Sequence, residues 1–274
     1  MKVALVLVNY NGKQYLPDLF ASLQSLEFPR DACDIFFVDN ASSDGSLPWA
    51  RENASQLKRA VFFVPLTKNT GFAAGNNAAI RRVLSKEEYS YTALLNVDTV
   101  VDPHWLTELV KKMEENKAIG AVQSLILLEN DRKLVNSSGN MLHFLAFGWV
   151  GGYQKKLDTI LAQKEPAEIG YASGAAALYS NEALRKVGLF AERFFMYHED
   201  LELSWRIRLA GYKIALSKDS RVYHKYQFSR NAKKMFWVER NRLATYFTLY
   251  ELRTLIAFCA IFIFMEFCVV LHSI

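Results

Sequence analysis

Tyr91-Thr92-Ala93-Leu94-Leu95-Asn96-Val97-Asp98 is an apolar run that stops on an amide and a carboxylate two positions apart. Strand side chains repeat with period two, so Asn96 and Asp98 leave the strand end in the same direction. In an open α/β sheet, ligands collect beyond the carboxyl ends of the strands, and a carboxylate at that edge suits a divalent cation. The same letters also describe an Asn/Asp turn ahead of a helix opened by Pro103. Other segments have to decide between the two.

Upstream, residues 2–8 are a Val-rich run that predicts a buried first strand, closed by Asn9-Tyr10-Asn11-Gly12. A helix is expected over 14–25, with Leu16, Leu19, Phe20 and Leu23 on one face. Residues 34–38 read as a second strand, ending in Asp39-Asn40-Ala41-Ser42-Ser43-Asp44-Gly45-Ser46. A helix over 47–57, a strand over 60–64 and a helix over 73–84 follow, the last introduced by Asn69-Thr70-Gly71-Phe72. This alternation predicts an α/β fold with a mostly parallel central sheet flanked by helices. Neither the glycine fingerprint of a dinucleotide site nor a complete phosphate-binding loop follows the first strand; Gly12-Lys13-Gln14 is only a fragment of the latter. Asp39 can still accept a hydrogen bond from a base or ribose. Gly71 and Gly75 let backbone pass close to a ligand, and Asn76 and Asn77 supply amides. A loop and helix start with no ligand explains the same residues.

Downstream, a helix over 103–116 buries Trp105, Leu106, Leu109, Val110 and Met113, and a strand covers 119–128. Residues 129–168 lack periodicity; their aromatics and glycines predict a mobile loop region beside the site. A strand over 171–179 contains Ala172-Ser173-Gly174-Ala175, small enough for a bulky ligand to approach the backbone. Phe194-Phe195-Met196-Tyr197-His198-Glu199-Asp200 precedes a helix to about residue 210, closed by Gly211. Leu201, Trp205 and Leu209 should bury together, leaving Glu202 and Arg206 as an exposed i,i+4 pair. Glu199 and Asp200 are either dipole-favoured acids of a first turn or, for Asp200, a general base facing the crevice. His224 closes a short strand, Arg221-Val222-Tyr223-His224, after another over 214–217. It is either structural or a further ligand beside a carboxylate.

With 51% hydrophobic and 14% aromatic residues, the 274-residue chain is not disordered. Its formal charge of +5 sits in one place: residues 218–242 hold eight Lys/Arg against two acids, and the remainder nets −1. A nucleic-acid face would not be confined in that way. The basic stretch instead precedes residues 255–274, which contain no Lys or Arg and one acid, Glu266. Twenty helical residues reach about 30 Å, the thickness of a bilayer core, and a basic flank faces the cytoplasm. Residues 230–242 mix bases with Met235, Phe236, Trp237 and Val238, the composition of a helix on an anionic lipid surface. A hydrophobic helix docked on the domain is the competing reading, and Glu266 favours it. The division expected is therefore 1–225, a basic amphipathic segment 226–254 and a hydrophobic, membrane-spanning helix 255–274, at the cytoplasmic face of the cell membrane. Cys33, Cys259 and Cys268 lack metal-ligand spacing and fit a reducing compartment.

Taken in order, Val8-Asn9-Tyr10-Asn11-Gly12, Val38-Asp39 through Ser46, Asn69 through Asn77, Leu95-Asn96-Val97-Asp98, Ser173-Gly174-Ala175 and Phe195 through Asp200 to Gly211 resemble a bacterial family 2 glycosyltransferase. The resemblance covers about residues 2–224, implies the nucleotide-sugar-binding fold known as GT-A, and is nearest the rhamnosyltransferase-like branch. It implies nucleotide-binding roles for Asn9, Asp39, Gly71, Asn77 and Asn96, with Asp39 on the base. It further implies metal ligands Asp98 and His224 for Mg²⁺ or Mn²⁺, acceptor contacts at Gly174 and Glu199, and Asp200 as catalytic base. Many relatives carry a second Asp where this chain has Asn96, a weaker, uncharged ligand. The activity implied is inverting transfer from a nucleoside-diphosphate sugar, dTDP-rhamnose or a UDP-sugar, to a glycan or lipid-linked acceptor in cell-surface polysaccharide synthesis. A catalytically degenerate sugar-nucleotide-binding protein and a sugar nucleotidyltransferase are the alternatives.

Overall fold

The computed structural model describes residues 1–225 and 232–273. Strand β1 (Lys2–Asn9) divides its side chains between two cores, Val3, Leu5 and Leu7 on one face of the sheet and Ala4 and Val6 on the other, as the period-two pleat requires. The chain continues through α1 (Leu16–Gln24), β2 (Cys33–Asp39), α2 (Ser46–Asn53), β3 (Val61–Pro65), α3 (Gly71–Leu84), β4 (Tyr89–Asn96), β5 (Thr99–Val101), α4 (Trp105–Glu114) and β6 (Ile119–Leu128). The stretch expected to be an aperiodic loop is built from short elements, β7 (Val135–Ser137), β8 (Asn140–Leu142), β9 (Gly148–Val150) and α5 (Leu157–Leu161). Then come β10 (Ala176–Ser180), α6 (Asn181–Val187), α7 (Glu199–Leu209), β11 (Lys213–His224), α8 (Ala232–Leu249), α9 (Leu252–Ala257) and α10 (Cys259–Ser273).

The main sheet runs β3-β2-β1-β4-β10-β6-β11-β5, with β7 beside β6. Strands β1 to β4 are mutually parallel, β10 is antiparallel to both β4 and β6, and β11 is parallel to β6 and antiparallel to β5. The carboxyl ends of β1, β2, β4, β6 and β11 therefore share one edge. Helices α1 and α4 cover one face, burying Leu19, Phe20, Trp105 and Leu109, and α3, α6 and α7 cover the other with Ile80, Val83, Leu184, Leu203 and Ile207. The strand expected over 171–179 starts only at Ala176, and the two strands expected at 214–217 and 221–224 are one, β11, with an irregularity between Ser217 and Arg221.

Two local expectations reverse. In α7, Leu209 is 63% exposed and Glu202 only 4%. The cause is Arg206, whose Nε and Nη2 donate to Glu202 Oε1 and Oε2 at 2.8 Å each, while Nη1 and Nη2 donate to Val187 O and Leu189 O at 2.6 Å. A guanidinium that satisfies a carboxylate and two carbonyls together can carry that carboxylate inside.

The second reversal is the hydrophobic tail. The single helix expected over 255–274 is interrupted at Phe258, so α9 and α10 are separate. At about 1.5 Å per residue the 15 residues of α10 reach about 22 Å, and among the described residues no helix is long and apolar enough to cross a membrane. Glu266 of α10 accepts from Arg242 Nη2 (2.6 Å), and Arg242, 1% exposed, also donates to Glu239 (2.8 Å) and Leu145 O (3.2 Å). The tail thus folds back on Leu145, Ala146, Phe147 and Trp205. Part of the basic segment expected at 226–254, residues 226–231 with Arg230, lies outside the described residues, as does Ile274.

Two glycines separate backbone strain from close approach. Gly71 and Gly211 both have left-handed φ, +79° and +92°. A Cβ on Gly71 would come 2.3 Å from Phe195 O, whereas one on Gly211 meets nothing within 4 Å. Gly211→Ala is expected to cost about 1 kcal/mol and Gly71→Ala about 3 kcal/mol or more. Urea unfolding checks this; equal losses for the two variants would contradict the contact at Phe195.

Candidate functional site

Register builds the first part of the site. Asn9 stands opposite Asp39 and Val8 opposite Asn96, so three polar strand ends meet at one edge. Asn9 is fully buried; its Nδ2 donates to Asp39 Oδ1 (3.2 Å) and Ser42 Oγ (3.0 Å), and Asp39 Oδ2 accepts the Ser42 N–H (3.1 Å). Among the described residues Asn9 Oδ1 has no hydrogen-bond partner and is buried beside Gly12. Asn40 ties the next loop to this edge, donating to Asn69 Oδ1 (3.1 Å) and Gly71 O (3.0 Å) and accepting from Thr70 N (2.8 Å). Asn77 is engaged elsewhere. Its amide donates to Phe190 O and Glu192 Oε1 (2.9 Å each) and accepts from Phe190 N (3.1 Å), so it fastens α3 to the loop after α6.

The second part lies where β5 meets β11. His224 pairs with Thr99, and the next residue, Lys225, donates its N–H to Asp98 O at 2.9 Å. This places Asp98 Oδ1 3.3 Å from His224 Nε2. Ligands on adjacent corners of an octahedron with about 2.1 Å bonds lie about 3.0 Å apart, so the two atoms fit one cation of the Mn²⁺ or Mg²⁺ class. His224 Nδ1 is 3.1 Å from Asn136 Oδ1, which fixes the ring. Among the described residues no group of three or more His, Cys, Asp or Glu could hold a metal. Asn96 contributes main-chain bonds, its N–H to Ala175 O (2.9 Å) and its carbonyl to Thr99 Oγ1 (2.7 Å).

A cavity of about 360 Å³ opens beside His224, lined among others by Asn136, Ser137, Asn140, Ser173 and Ala175. Beneath it, Gln123 donates to Ser137 Oγ (3.0 Å) and accepts from Asn140 Nδ2 (3.1 Å) and Ser173 N (2.9 Å). None of these amides was singled out from the sequence. The available signal was Gln123-Ser124 in the middle of β6, otherwise wholly apolar and wholly buried. A buried polar pair in such a strand needs partners.

The third part is the start of α7. Asp200 Oδ2 accepts the Gly174 N–H (3.1 Å), and Gly174 lies between Ser173 and Ala175 of the cavity wall. A Cβ on Gly174 would come 2.8 Å from Phe72 Cζ, so a larger residue there would have to displace that ring. Burial raises the Asp200 carboxyl above its ordinary value of 3.8, against the backbone N–H groups of Gly174, Leu201 and Asp200 itself, which favour the charge. Glu199 is buried deeper, with Oε2 unpartnered among the described residues. Burial first, and then the charge of Asp200, push it well above the usual carboxylate range. Burial, with the nearby Arg242 charge, lowers His198 to about 4 and keeps it neutral. His224 thus shares a cavity wall with Ser173 and Ala175, and Asp200 holds the Gly174 between them, while Asn77 bonds to Phe190 and Glu192.

The model of the family described as "Glycosyl transferase family 2" matches residues 4–188. Poly-beta-1,6-N-acetyl-D-glucosamine synthase of Staphylococcus epidermidis is 25% identical over 212 residues, 77% of this chain and 47% of the relative. The Staphylococcus aureus (strain COL) protein of the same name is 22% identical over 215 residues, again 77% and 47%. The chain spans about half the length of these curated relatives. Among solved structures, the mannosyltransferase PcManGT from Pyrobaculum calidifontis, in complex with GDP-Man and Mn²⁺, superposes with a TM-score of 0.65 at 18% identity, covering 90% of this chain and 63% of that one. S. aureus TarS 1–349 in complex with UDP-GlcNAc gives 0.59 at 17%, covering 84% and 60%. GalNAc-T7 with UDP, GalNAc and Mn²⁺ gives 0.69 at 16%, covering 89% and 47%. The chain has the GT-A fold of these transferases and belongs to glycosyl transferase family 2.

Proposed function

We propose that this chain is an inverting glycosyltransferase that moves a sugar from a nucleoside-diphosphate sugar to a hydroxyl of a glycan or lipid-linked acceptor in cell-surface polysaccharide synthesis. A UDP-sugar is the preferred donor, with UDP-GlcNAc the first to try because relatives and neighbours carry that sugar in their names; dTDP-rhamnose belongs in the same panel. The observation that supports the reading is the 3.3 Å Asp98–His224 pair beside a cavity whose wall includes Ser173 and Ala175, with Asp200 bonded to Gly174 between them and the Asn9–Asp39 pair at neighbouring strand ends.

Asp39 and the free oxygen of Asn9 would receive the base and ribose, and Asp98 and His224 would hold the cation. A bound Mg²⁺ or Mn²⁺ offsets the charge that grows on the leaving diphosphate. Asp200 would take the proton of an acceptor hydroxyl while that oxygen attacks the anomeric carbon from the face opposite the diphosphate. One displacement through an oxocarbenium-like transition state inverts the configuration. Burial without full neutralisation gives Asp200 a greater proton affinity than an exposed aspartate, which suits a base. Glu199, with its proton retained, would line the acceptor side with Gly174.

For the tail, the reading is attachment to the cytoplasmic face of the membrane through exposed apolar side chains. Ile263, Phe264 and Phe267 of α10 and Phe236 of α8 are each more than half exposed, and Lys233 lies near Phe236 on the same helix. Apolar side chains beside cations suit anionic headgroups. Full-length protein should float with phosphatidylglycerol vesicles at low salt; protein that stays at the bottom of the gradient contradicts attachment.

Two further outcomes are expected. Asp200→Asn should keep donor binding and lose at least about 10²-fold in transfer. Because burial raises the Asp200 pKa and the carboxylate is the active form, the wild-type acid limb should lie above the 3.8 of an ordinary aspartate; near-normal turnover by the variant removes Asp200 from the role. His224→Ala should weaken Mn²⁺-dependent thermal stabilisation by UDP at least about 10-fold in metal concentration. Unchanged Mn²⁺ dependence would take His224 out of the cation site.

A further inference from the structure

The loop leading to Glu199 and Asp200 holds three non-glycine residues in left-handed backbone, Phe195 (φ +64°), Tyr197 (+66°) and His198 (+74°). Each conformation is unfavourable by about 1–2 kcal/mol, and such a run persists only where its surroundings over-determine it. On one side, Phe195 O accepts the Ala73 N–H (3.2 Å) at the start of α3. On the other side stands α8, with one amide at the centre of the contact. Asn241, fully buried, donates through Nδ2 to Phe194 O (3.0 Å), Met196 O (3.0 Å) and Tyr197 O (2.7 Å). Two N–H bonds serve three carbonyls, so one hydrogen is shared.

The amide is itself held. Arg240 donates to Asn241 Oδ1 from Nε (2.9 Å) and Nη2 (2.6 Å), and its Nη2 also reaches Arg193 O (2.6 Å) and Phe194 O (3.0 Å). Trp237, one turn earlier, stacks on Phe195 with centroids 5.2 Å apart. These contacts join a helix outside the family-matched stretch to the few residues that aim Asp200 at the Gly174 N–H.

We propose that Asn241 is a positioning residue for sugar transfer: its amide locks the main chain of residues 194–197 so that α7 begins with Asp200 against Gly174. This rests on the reading of Asp200 as base. An aspartate at 241 would set oxygens against three carbonyls, and an alanine would leave all three without this donor. Among the described residues Asn9 and Asp39 form no hydrogen bond with residues 194–197, so their share of donor binding should be independent of this loop.

The test uses full-length Asn241→Ala and Arg240→Ala with UDP-GlcNAc as probe and Mn²⁺ present, measuring donor turnover against pH and amide hydrogen exchange. Asn241→Ala should lose about 10- to 100-fold in kcat, the scale of a base displaced by about 1 Å, with donor KM within about 2-fold. Its acid limb should move, since Asp200 would be re-set against Gly174 N, Glu199, Tyr171 and Tyr179, and exchange should rise at residues 194–200 while β1 and β2 stay protected. Unchanged kcat with a superimposed pH profile overturns the proposal. So does a parallel change of kcat and donor KM with exchange raised throughout, the mark of general destabilisation. If Asn241→Ala does not fold, Arg240→Ala decides: a loss of about 3-fold or more in kcat alone supports the proposal, and a wild-type profile overturns it. A wild-type chain that turns over no nucleotide sugar removes the function reading and this inference together, whereas an active wild type with an equally active Asn241→Ala removes this inference alone.

Discussion

The antiparallel pairing of β5 with β11 is the constraint on which the rest depends. It sets His224 opposite Thr99, so a carboxylate and an imidazole separated by more than a hundred residues come within 3.3 Å. Slipping that register by one residue would turn His224 to the other face of the sheet. The parallel register of β1 with β2 and β4 supplies the neighbouring half, bringing Asn9, Asp39 and Asn96 to the same edge. The positions of these strand-end residues are thus set by strand pairing, whereas Asp200 is placed by the loop before α7.

What was legible in the sequence follows from that. Strand ends that switch abruptly from apolar to polar, as at Asn9, Asp39, Asn96 and His224, announce an edge, and the alternation of strand and helix places those edges together. Amides on helices are harder, because any side of α3 could have faced the ligand. Asn77 turned toward Phe190 and Glu192. Gln123 was hidden by its apolar neighbours, although a lone polar pair in a buried strand has to be satisfied. In α7 hydrophobic spacing held for Leu201 and Trp205 and failed for Leu209, and Glu202 went inside because its partner Arg206 found two carbonyls that no periodicity reveals.

The C-terminal segment shows the limit of charge counting. Eight bases in a short stretch read as a surface facing lipid, yet Arg242 and Asn241 are among the most buried residues of the molecule. Arg242 lies between Glu239, Glu266 and Leu145 O, and over the ring of Phe147 at 4.2 Å. Removing one partner of such a group leaves a buried charge uncompensated, typically a loss of about 3–5 kcal/mol. The tail is part of the folded body, and its outward side carries the exposed apolar residues.

The chemistry proposed for this edge has one direct readout, the configuration of the product. With Asp200 activating an acceptor on the face opposite the diphosphate, a donor sugar joined to its nucleotide by an α bond must leave as a β-linked product. Proton NMR of the transfer product, taken with whichever nucleotide sugar the chain consumes, reads the anomeric configuration fixed in the new glycosidic bond. Inversion is the result this account predicts; retention of the donor configuration would contradict it.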